Sequence, residues 1–110
     1  MVAKLILRNN DAGTKPRYLT PMALPDGPDV ILCYVFLTGF ASSTRIRVHR
    51  VKPDGTQTLI RDVQTAQDGA KEDNSTAVRM GRDLHVYFSS HIGDPLAVME
   101  REIIPNIFMA

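Results

Sequence analysis

The longest apolar run in the chain extends from Val30 to Leu37, between Asp29 and Thr38. Side chains alternate between the two faces of a strand, so this run would present apolar groups on both faces. Such a strand must be covered on both sides and therefore lies inside a packed structure. Its β-branched and aromatic residues favour a strand over a buried helix, and it is too short for a membrane-spanning helix, which needs about 20 residues. The run predicts a central β-strand.

Shorter segments on either side carry the alternation of apolar and polar positions that is typical of half-buried strands. Pro21 and Pro25 lack the amide hydrogen that pairs strands, so we expect the segment before them at a sheet edge or irregular. Strands are predicted at residues 2–8, 17–20, 30–37, 44–52, 56–63, 76–80, 84–88 and 96–104.

Two glycine-containing turns join neighbouring strands into hairpins. Lys52-Pro53-Asp54-Gly55 suits a type I turn followed by a glycine bulge, because proline fits the second position and glycine the fourth. Gly81-Arg82-Asp83 separates the strands of the second hairpin. We expect the polar segment 64–75 and the turn-rich segment 89–95 to be loops.

About seven to eight short strands with turn signals between them predict an all-β fold, an antiparallel sandwich or barrel of the jelly-roll or immunoglobulin type. The length of 110 residues suits a single β domain over residues 1–110. Val30 to Val51 and Leu84 to Ile103 share an order of apolar strand, connection and charged strand. Two copies are too few for a solenoid or propeller, so we interpret them as similar supersecondary units.

Composition narrows the class of protein further. Apolar residues make up 44% and charged residues 23%, which is usual for globular proteins. Thirteen basic and twelve acidic residues give a net charge of +1, so no global attraction to nucleic acid or an anionic membrane is expected. One cysteine excludes an internal disulfide, and its place in the apolar run predicts a buried thiol. No signal peptide is recognised, and we expect a virion or cytoplasmic location away from membranes.

The combinations of residues that could carry chemistry are incomplete. A metal site would need three or four convergent ligands, and His85 and His91 with Asp83 or Asp94 do not share the spacing of one helix face or one strand face. The adjacent residues Ser89, Ser90 and His91 lack the Gly-x-Ser-x-Gly pattern of a nucleophile elbow.

Carboxylate pairs and phosphate-binding loops give no stronger signal. Glu100 and Glu102 share one strand face, but the arrangement is typical of an exposed, charged strand. Neither a Walker motif nor a dinucleotide fingerprint is present. We therefore predict a protein that is not an enzyme and has no catalytic residues, metal or cofactor.

Positive side chains gather on the strand at 44–52, namely Arg45, Arg47, His49, Arg50 and Lys52. Ile46 and Val48 face inward, which places Arg45, Arg47 and His49 outward, and the alternation slips at Arg50 and Val51, where we expect a bulge. This strand could contact phosphate groups or an acidic protein surface. Alternatively it is a solvated face balanced by acids such as Glu100 and Glu102.

The chain ends in an apolar tail at 105–110 that contains Ile107, Phe108 and Met109. Leaving such groups in water costs about 1.5–3 kcal/mol each in lost burial. The tail either packs on the core of its own domain or docks on another chain. We therefore place Ile107, Phe108 and Met109, with Arg45, Arg47 and His49, among the candidate partner-binding residues.

A cysteine-poor, all-β chain with an apolar tail and a long polar segment resembles the small jelly-roll decoration or cement proteins of tailed-phage capsids. The resemblance covers size, the strand pattern from Lys4 to Ile104 and the tail, and contains no diagnostic motif. It implies a virion accessory protein, on the capsid or associated with the tail, that binds capsid or tail subunits or itself and forms a homo-oligomer or part of a larger assembly. The alternative is a ligand-binding β module for an anionic glycan or nucleic acid that uses the basic strand 45–52, with nucleic acid the less expected ligand.

Overall fold

The computed structural model describes residues 17–37, 44–64, 71–91 and 97–109. Every regular element in these ranges is a strand, which confirms the all-β class. The predicted strand at 2–8 and the connections at 38–43 and 92–96 lie outside the described residues. The strands are β1 (Arg17–Asp26), β2 (Asp29–Leu37), β3 (Thr44–Val51), β4 (Gln57–Gln64), β5 (Lys71–Met80), β6 (Asp83–His91) and β7 (Ala97–Ile104).

The strands form two antiparallel sheets, one in the order β1-β2-β3-β4 and the other in the order β5-β6-β7. Within each sheet, every described strand pairs with the next strand in the chain, as in a meander. A jelly roll requires strands that cross between sheets, and none of the described strands does so, so that part of the prediction is not confirmed. The predicted central strand is β2, which lies between β1 and β3.

The first strand is longer than predicted. β1 continues beyond the predicted end at Thr20, passes through Pro21 and Pro25 and reaches Asp26. β1 lies at the edge of its described sheet. Proline is tolerated there because only one side of an edge strand pairs with a neighbour. The pairing of β1 with β2 shifts register between Leu19 and Met22, around Thr20 with its positive φ of 48°.

The β3–β4 hairpin turn has the predicted geometry. Gly55 donates its amide hydrogen to the Lys52 carbonyl over 2.9 Å, and its φ of 92° is one that glycine adopts readily. The register shift between β3 and β4 falls between Val48 and His49 instead of at Arg50 and Val51.

Two segments predicted as loops are partly strand. β5 begins at Lys71, within the polar segment 64–75, and β6 continues to His91, within the segment 89–95. Polar side chains do not prevent pairing where the neighbouring strand supplies backbone partners, here Lys71 with His91 and Glu72 with Ser90.

Both sheets contribute side chains to one hydrophobic core, as in a β-sandwich. The first sheet supplies Ile31, Cys33, Ile46 and Val48. The second sheet and the C-terminal segment supply Ala77, Leu84, Val86, Phe88, Ile104, Ile107 and Phe108.

The apolar run in β2 has buried side chains on both of its faces, although Val30 at its start is 38% exposed. Ile31, Cys33 and Val35 point towards the second sheet, while Tyr34 and Phe36 are buried on the opposite face. The pattern therefore predicted the central place of β2 in its sheet, whereas the face opposite the core is turned outward and is left partly exposed at Val30.

Candidate functional site

The outward arginines of β3 are paired within their own sheet. Arg45 Nε lies 2.6 Å from Asp62 Oδ1, and Arg47 Nε lies 3.5 Å from Asp62 Oδ2, an ion pair without hydrogen-bond geometry. The Arg47 guanidinium also lies 3.8 Å from the centroid of the Phe36 ring, a cation–π contact. The balancing carboxylate is therefore Asp62 of the neighbouring β4, whereas Glu100 and Glu102 belong to β7 of the other sheet.

His49 faces outward as predicted, but it is buried. Its Nδ1 lies 2.5 Å from Gln57 Oε1, and its Nε2 lies 2.7 Å from the Tyr34 hydroxyl. Because an amide oxygen only accepts, Nδ1 carries the hydrogen and donates, which leaves Nε2 to accept from the Tyr34 hydroxyl. The two rings stack with their centroids 5.4 Å apart.

Burial is the main reason why the pKa of His49 is lowered below its ordinary value of 6.5. The nearby positive charge of Arg47 lowers the pKa further, while the hydrogen bond with Gln57 raises it. The imidazole is therefore neutral at pH 7 and does not add a positive charge to the basic strand.

Arg50 is directed away from this strand face, towards the β1–β2 turn and the C-terminal tail. Its guanidinium lies 2.9 Å from Asp26 and 3.3 Å from Asp29, and it donates to the Ile107 carbonyl oxygen over 3.0 Å. Of the five residues Arg45, Arg47, His49, Arg50 and Lys52, Lys52 is the one that is exposed.

The C-terminal tail is anchored on its own chain. Ile107 and Phe108 donate their amide hydrogens to the Arg82 carbonyl oxygen over 2.8 and 3.0 Å, and both side chains are buried in the core. This is the first of the two alternatives for the tail, and it withdraws Ile107 and Phe108 from the surface. Met109 remains 46% exposed.

A buried carboxylate holds the end of the tail. Asp26, with 2% of its surface exposed, accepts from the Met109 amide through both carboxylate oxygens at 3.2 Å and pairs with Arg50. Arg79 lies 3.7 Å from Asp26, donates to the Met109 carbonyl over 2.8 Å and covers the Phe108 ring. The tail therefore joins β1 and β3 of one sheet to β5 of the other.

The candidate chemical groups are not assembled into a site within the described residues. Asp94 and the side chains of Ser89, Ser90 and His91 lie outside them. In the described part of the chain, no group of three or more His, Cys, Asp or Glu side chains could hold a metal ion. Burial raises the pKa of the Cys33 thiol to about 12, so this thiol is protonated and a poor nucleophile at neutral pH.

The outer face of the β5–β6–β7 sheet carries exposed apolar residues that were not among the predicted partner-binding residues. Val78 and Ile103 flank His85 in one row across the three strands, and each is 44% exposed. Met80, two residues from Val78 on the same face, is 53% exposed. These residues occupy alternate positions of the predicted strands 76–80 and 96–104, on the face opposite to the one that Leu84, Val86 and Phe88 share.

The comparisons with known proteins assign no family to the chain. An all-β chain of two antiparallel meanders is what the structure defines. No family model, no curated protein and no solved structure matches the sequence or the fold. In the described ranges, no helix is long and apolar enough to cross a membrane.

Proposed function

We propose that this chain is a non-enzymatic interaction protein that binds a protein partner through the outer face of the β5–β6–β7 sheet. The observation that carries the proposal is the cluster of Val78, Met80 and Ile103, each about half exposed on one sheet face. A cluster of exposed apolar side chains on a regular surface is typical of a contact site. Scattered single apolar residues would carry no such implication.

Burying the apolar residues of this face against a partner would contribute favourable free energy. Burying a Val, Ile or Met side chain completely is worth about 1.5–3 kcal/mol relative to leaving it in water. Since Val78, Met80 and Ile103 are already half buried, a partner that covers them gains about 1 kcal/mol from each. The backbone pairing of the strands already orders these residues, which limits the entropy lost on binding.

The anionic-ligand alternative has less support. Asp62 lies within ion-pair distance of both Arg45 and Arg47, and Arg50 is engaged by Asp26 and Asp29. A ligand phosphate or carboxylate would have to compete with these carboxylates for the same guanidinium groups. The protein-partner proposal needs no such exchange.

The setting that we propose is that of a virion accessory protein, on the capsid or associated with the tail. Its basis is the resemblance in size and strand pattern to small decoration proteins. In that role the exposed sheet face would contact a capsid or tail subunit, or a second copy of the chain.

Site-specific photo-crosslinking tests the proposal. A benzoylphenylalanine replaces Val78 on the outer face or, as a control, the exposed Thr58 in β4, and the protein is irradiated in its native source. We expect a discrete protein adduct from position 78 and none from position 58. The absence of an adduct at position 78, or equal adducts at both positions, would contradict the proposal.

A further inference from the structure

The β1–β2 and β5–β6 hairpins, which begin the two sheets, are similar and can be aligned at their turns. β1 and β2 meet at Gly27-Pro28, and β5 and β6 meet at Gly81-Arg82. Both glycines have nearly the same positive φ, 61° and 64°. The first strand of each sheet also has a register shift at a similar distance before its glycine, at 19/22 in β1 and at 72/75 in β5.

This alignment matches each face of the first sheet with one face of the second, and we call the matched pairs the front faces and the back faces. With Asp29 placed on Asp83, the front face comprises Ile31 and Cys33 in β2 and the corresponding His85 and Tyr87 in β6. The back face comprises the alternate residues of the same strands, namely Val30, Leu32 and Tyr34 in β2 and Leu84, Val86 and Phe88 in β6.

The core inside the chain joins two unlike faces. The front face of the first sheet, with Ile31, Cys33, Ile46 and Val48, packs against the back face of the second, with Leu84, Val86 and Phe88. The second sheet therefore turns its front face outward, and the first sheet turns its back face outward. Each outward face is the counterpart of one that is already buried inside the chain.

The exposed apolar residues follow this division. Val78, Met80 and Ile103 lie on the outward front face of the second sheet, and Val30 and Leu59 lie on the outward back face of the first. These are five of the six large apolar residues that are exposed in the described ranges, the sixth being Met109. Such a distribution is expected when both outward faces are contact surfaces.

We infer that the partner on the outer face of the β5–β6–β7 sheet is a second copy of this chain, which docks through the outward back face of its β1–β2–β3–β4 sheet. The inference rests on the proposed function and names its partner. The contact repeats the front-to-back packing of the two sheets within one chain. It is heterologous, so a pair of copies keeps one free front face and one free back face, and the stack can extend to a ring or a filament.

The contact is centred near the turn ends of the sheets. Tyr34, Phe36 and His49 on the back face are already buried, whereas Val30 is 38% and Leu59 is 45% exposed. Val30 lies one residue into β2 after its turn, and Met80 is the last residue of β5 before the equivalent turn. Front-to-back stacking therefore brings the exposed residues of the two copies to the same end of the sheets.

A complementation experiment with the full chain tests this geometry. Ile103→Lys places a charge on the front face, and Val30→Lys places one on the back face. Thr58→Lys adds the same charge at an exposed position of β4 that lies in the row of Arg50 and Ile31 and so points to the opposite side of the sheet from Val30. Analytical ultracentrifugation should show association of the wild type and of Thr58→Lys, and loss of association for each face variant alone. An equimolar mixture of the two face variants should form a complex of two chains, because one intact front face meets one intact back face.

Circular dichroism and thermal melting first establish that each variant is folded, and Val78→Lys replaces Ile103→Lys if that variant does not fold. A wild type that is monomeric at its highest soluble concentration would overturn the inference. So would two face variants that remain monomeric when mixed, since that result indicates a symmetric contact or a different surface. If the adduct at position 78 contains another protein while the wild type is monomeric, the proposed function stands and this inference fails.

Discussion

The hydrogen bonds of His49 couple the ionisation of one imidazole to folding. The neutral ring accepts from the Tyr34 hydroxyl at Nε2 and donates to Gln57 at Nδ1. Protonation would place a charge in a buried site beside Arg47, which is why the pKa in the folded chain is below 6.5. In the unfolded chain the imidazole has its ordinary pKa.

This difference predicts a dependence of stability on pH. Below pH 6.5 the unfolded chain binds a proton at His49 before the folded chain does, so the free energy of unfolding falls as the pH falls from 6.5 towards the pKa in the folded state. The slope contributed by one group is at most about 1.4 kcal/mol per pH unit. Urea unfolding between pH 7.5 and 5.5 should show this slope in the wild type and a flatter dependence in His49→Gln. Parallel curves for the two proteins would contradict the assignment.

The C-terminal segment has no regular secondary structure, but it connects the two sheets through hydrogen bonds. After Pro105 the chain turns at Asn106, whose φ is 58° and whose amide donates to Asp83 over 3.1 Å. It then passes close to Gly27, where an added Cβ would lie 3.4 Å from the Met109 side chain. Arginines from β3, β5 and the β5–β6 turn hold its carbonyl groups, so the tail fixes the two sheets to each other.

Asp26 is the residue on which this anchoring depends most. Asp26→Ala would leave Arg50 and the Met109 amide without their buried acceptor, and we expect the free energy of unfolding to fall by about 3 kcal/mol. Asp29→Ala is the matched control, because Asp29 meets the same arginine through one longer contact of 3.3 Å, and its loss should cost about 1 kcal/mol or less. Urea denaturation measures both, and equal losses would argue against a special role for Asp26.

The apolar part of the tail predicts a second contrast between neighbouring residues. Phe108 is 1% exposed and belongs to the core, so Phe108→Ala should lower the free energy of unfolding by about 3–5 kcal/mol. Met109 is nearly half exposed, so Met109→Ala should lower the free energy of unfolding by less than about 1 kcal/mol. Thermal melting of the two variants at equal concentration tests the pair. A larger loss for Met109→Ala would show that the tail binds in a different way.

The sequence predicts those elements whose signals are local. The two-sided apolar run identified β2, the glycine at position 55 identified the β3–β4 turn, and alternation assigned Ile46 and Val48 to the core. The start of β5 at Lys71 depends on pairing with β6, which no local pattern reveals. The pairing of Asp26 with Arg50 and Met109 joins residues up to 83 positions apart, so only the fold brings them together.

At the scale of the whole molecule, the inner apolar face of each sheet is covered by the other sheet. The inner face of the first sheet is covered by Leu84, Val86 and Phe88, and the hydroxyl groups of Thr20 and Ser75 form a 2.6 Å hydrogen bond between β1 and β5. The tail adds a polar connection at one end of the same interface. Separating the sheets would expose both inner faces at once.

The shared core predicts that the two sheets unfold together. The chain contains no tryptophan, so Leu59→Trp in the first sheet and Tyr87→Trp in the second give separate fluorescence probes at positions outside the core. We expect both probes and far-ultraviolet circular dichroism to report one urea transition with the same midpoint, as in a two-state domain. The unsubstituted chain, followed by circular dichroism alone, controls for effects of the tryptophans. Two separate midpoints would show that each sheet is stable alone, which is incompatible with inner faces that cover each other.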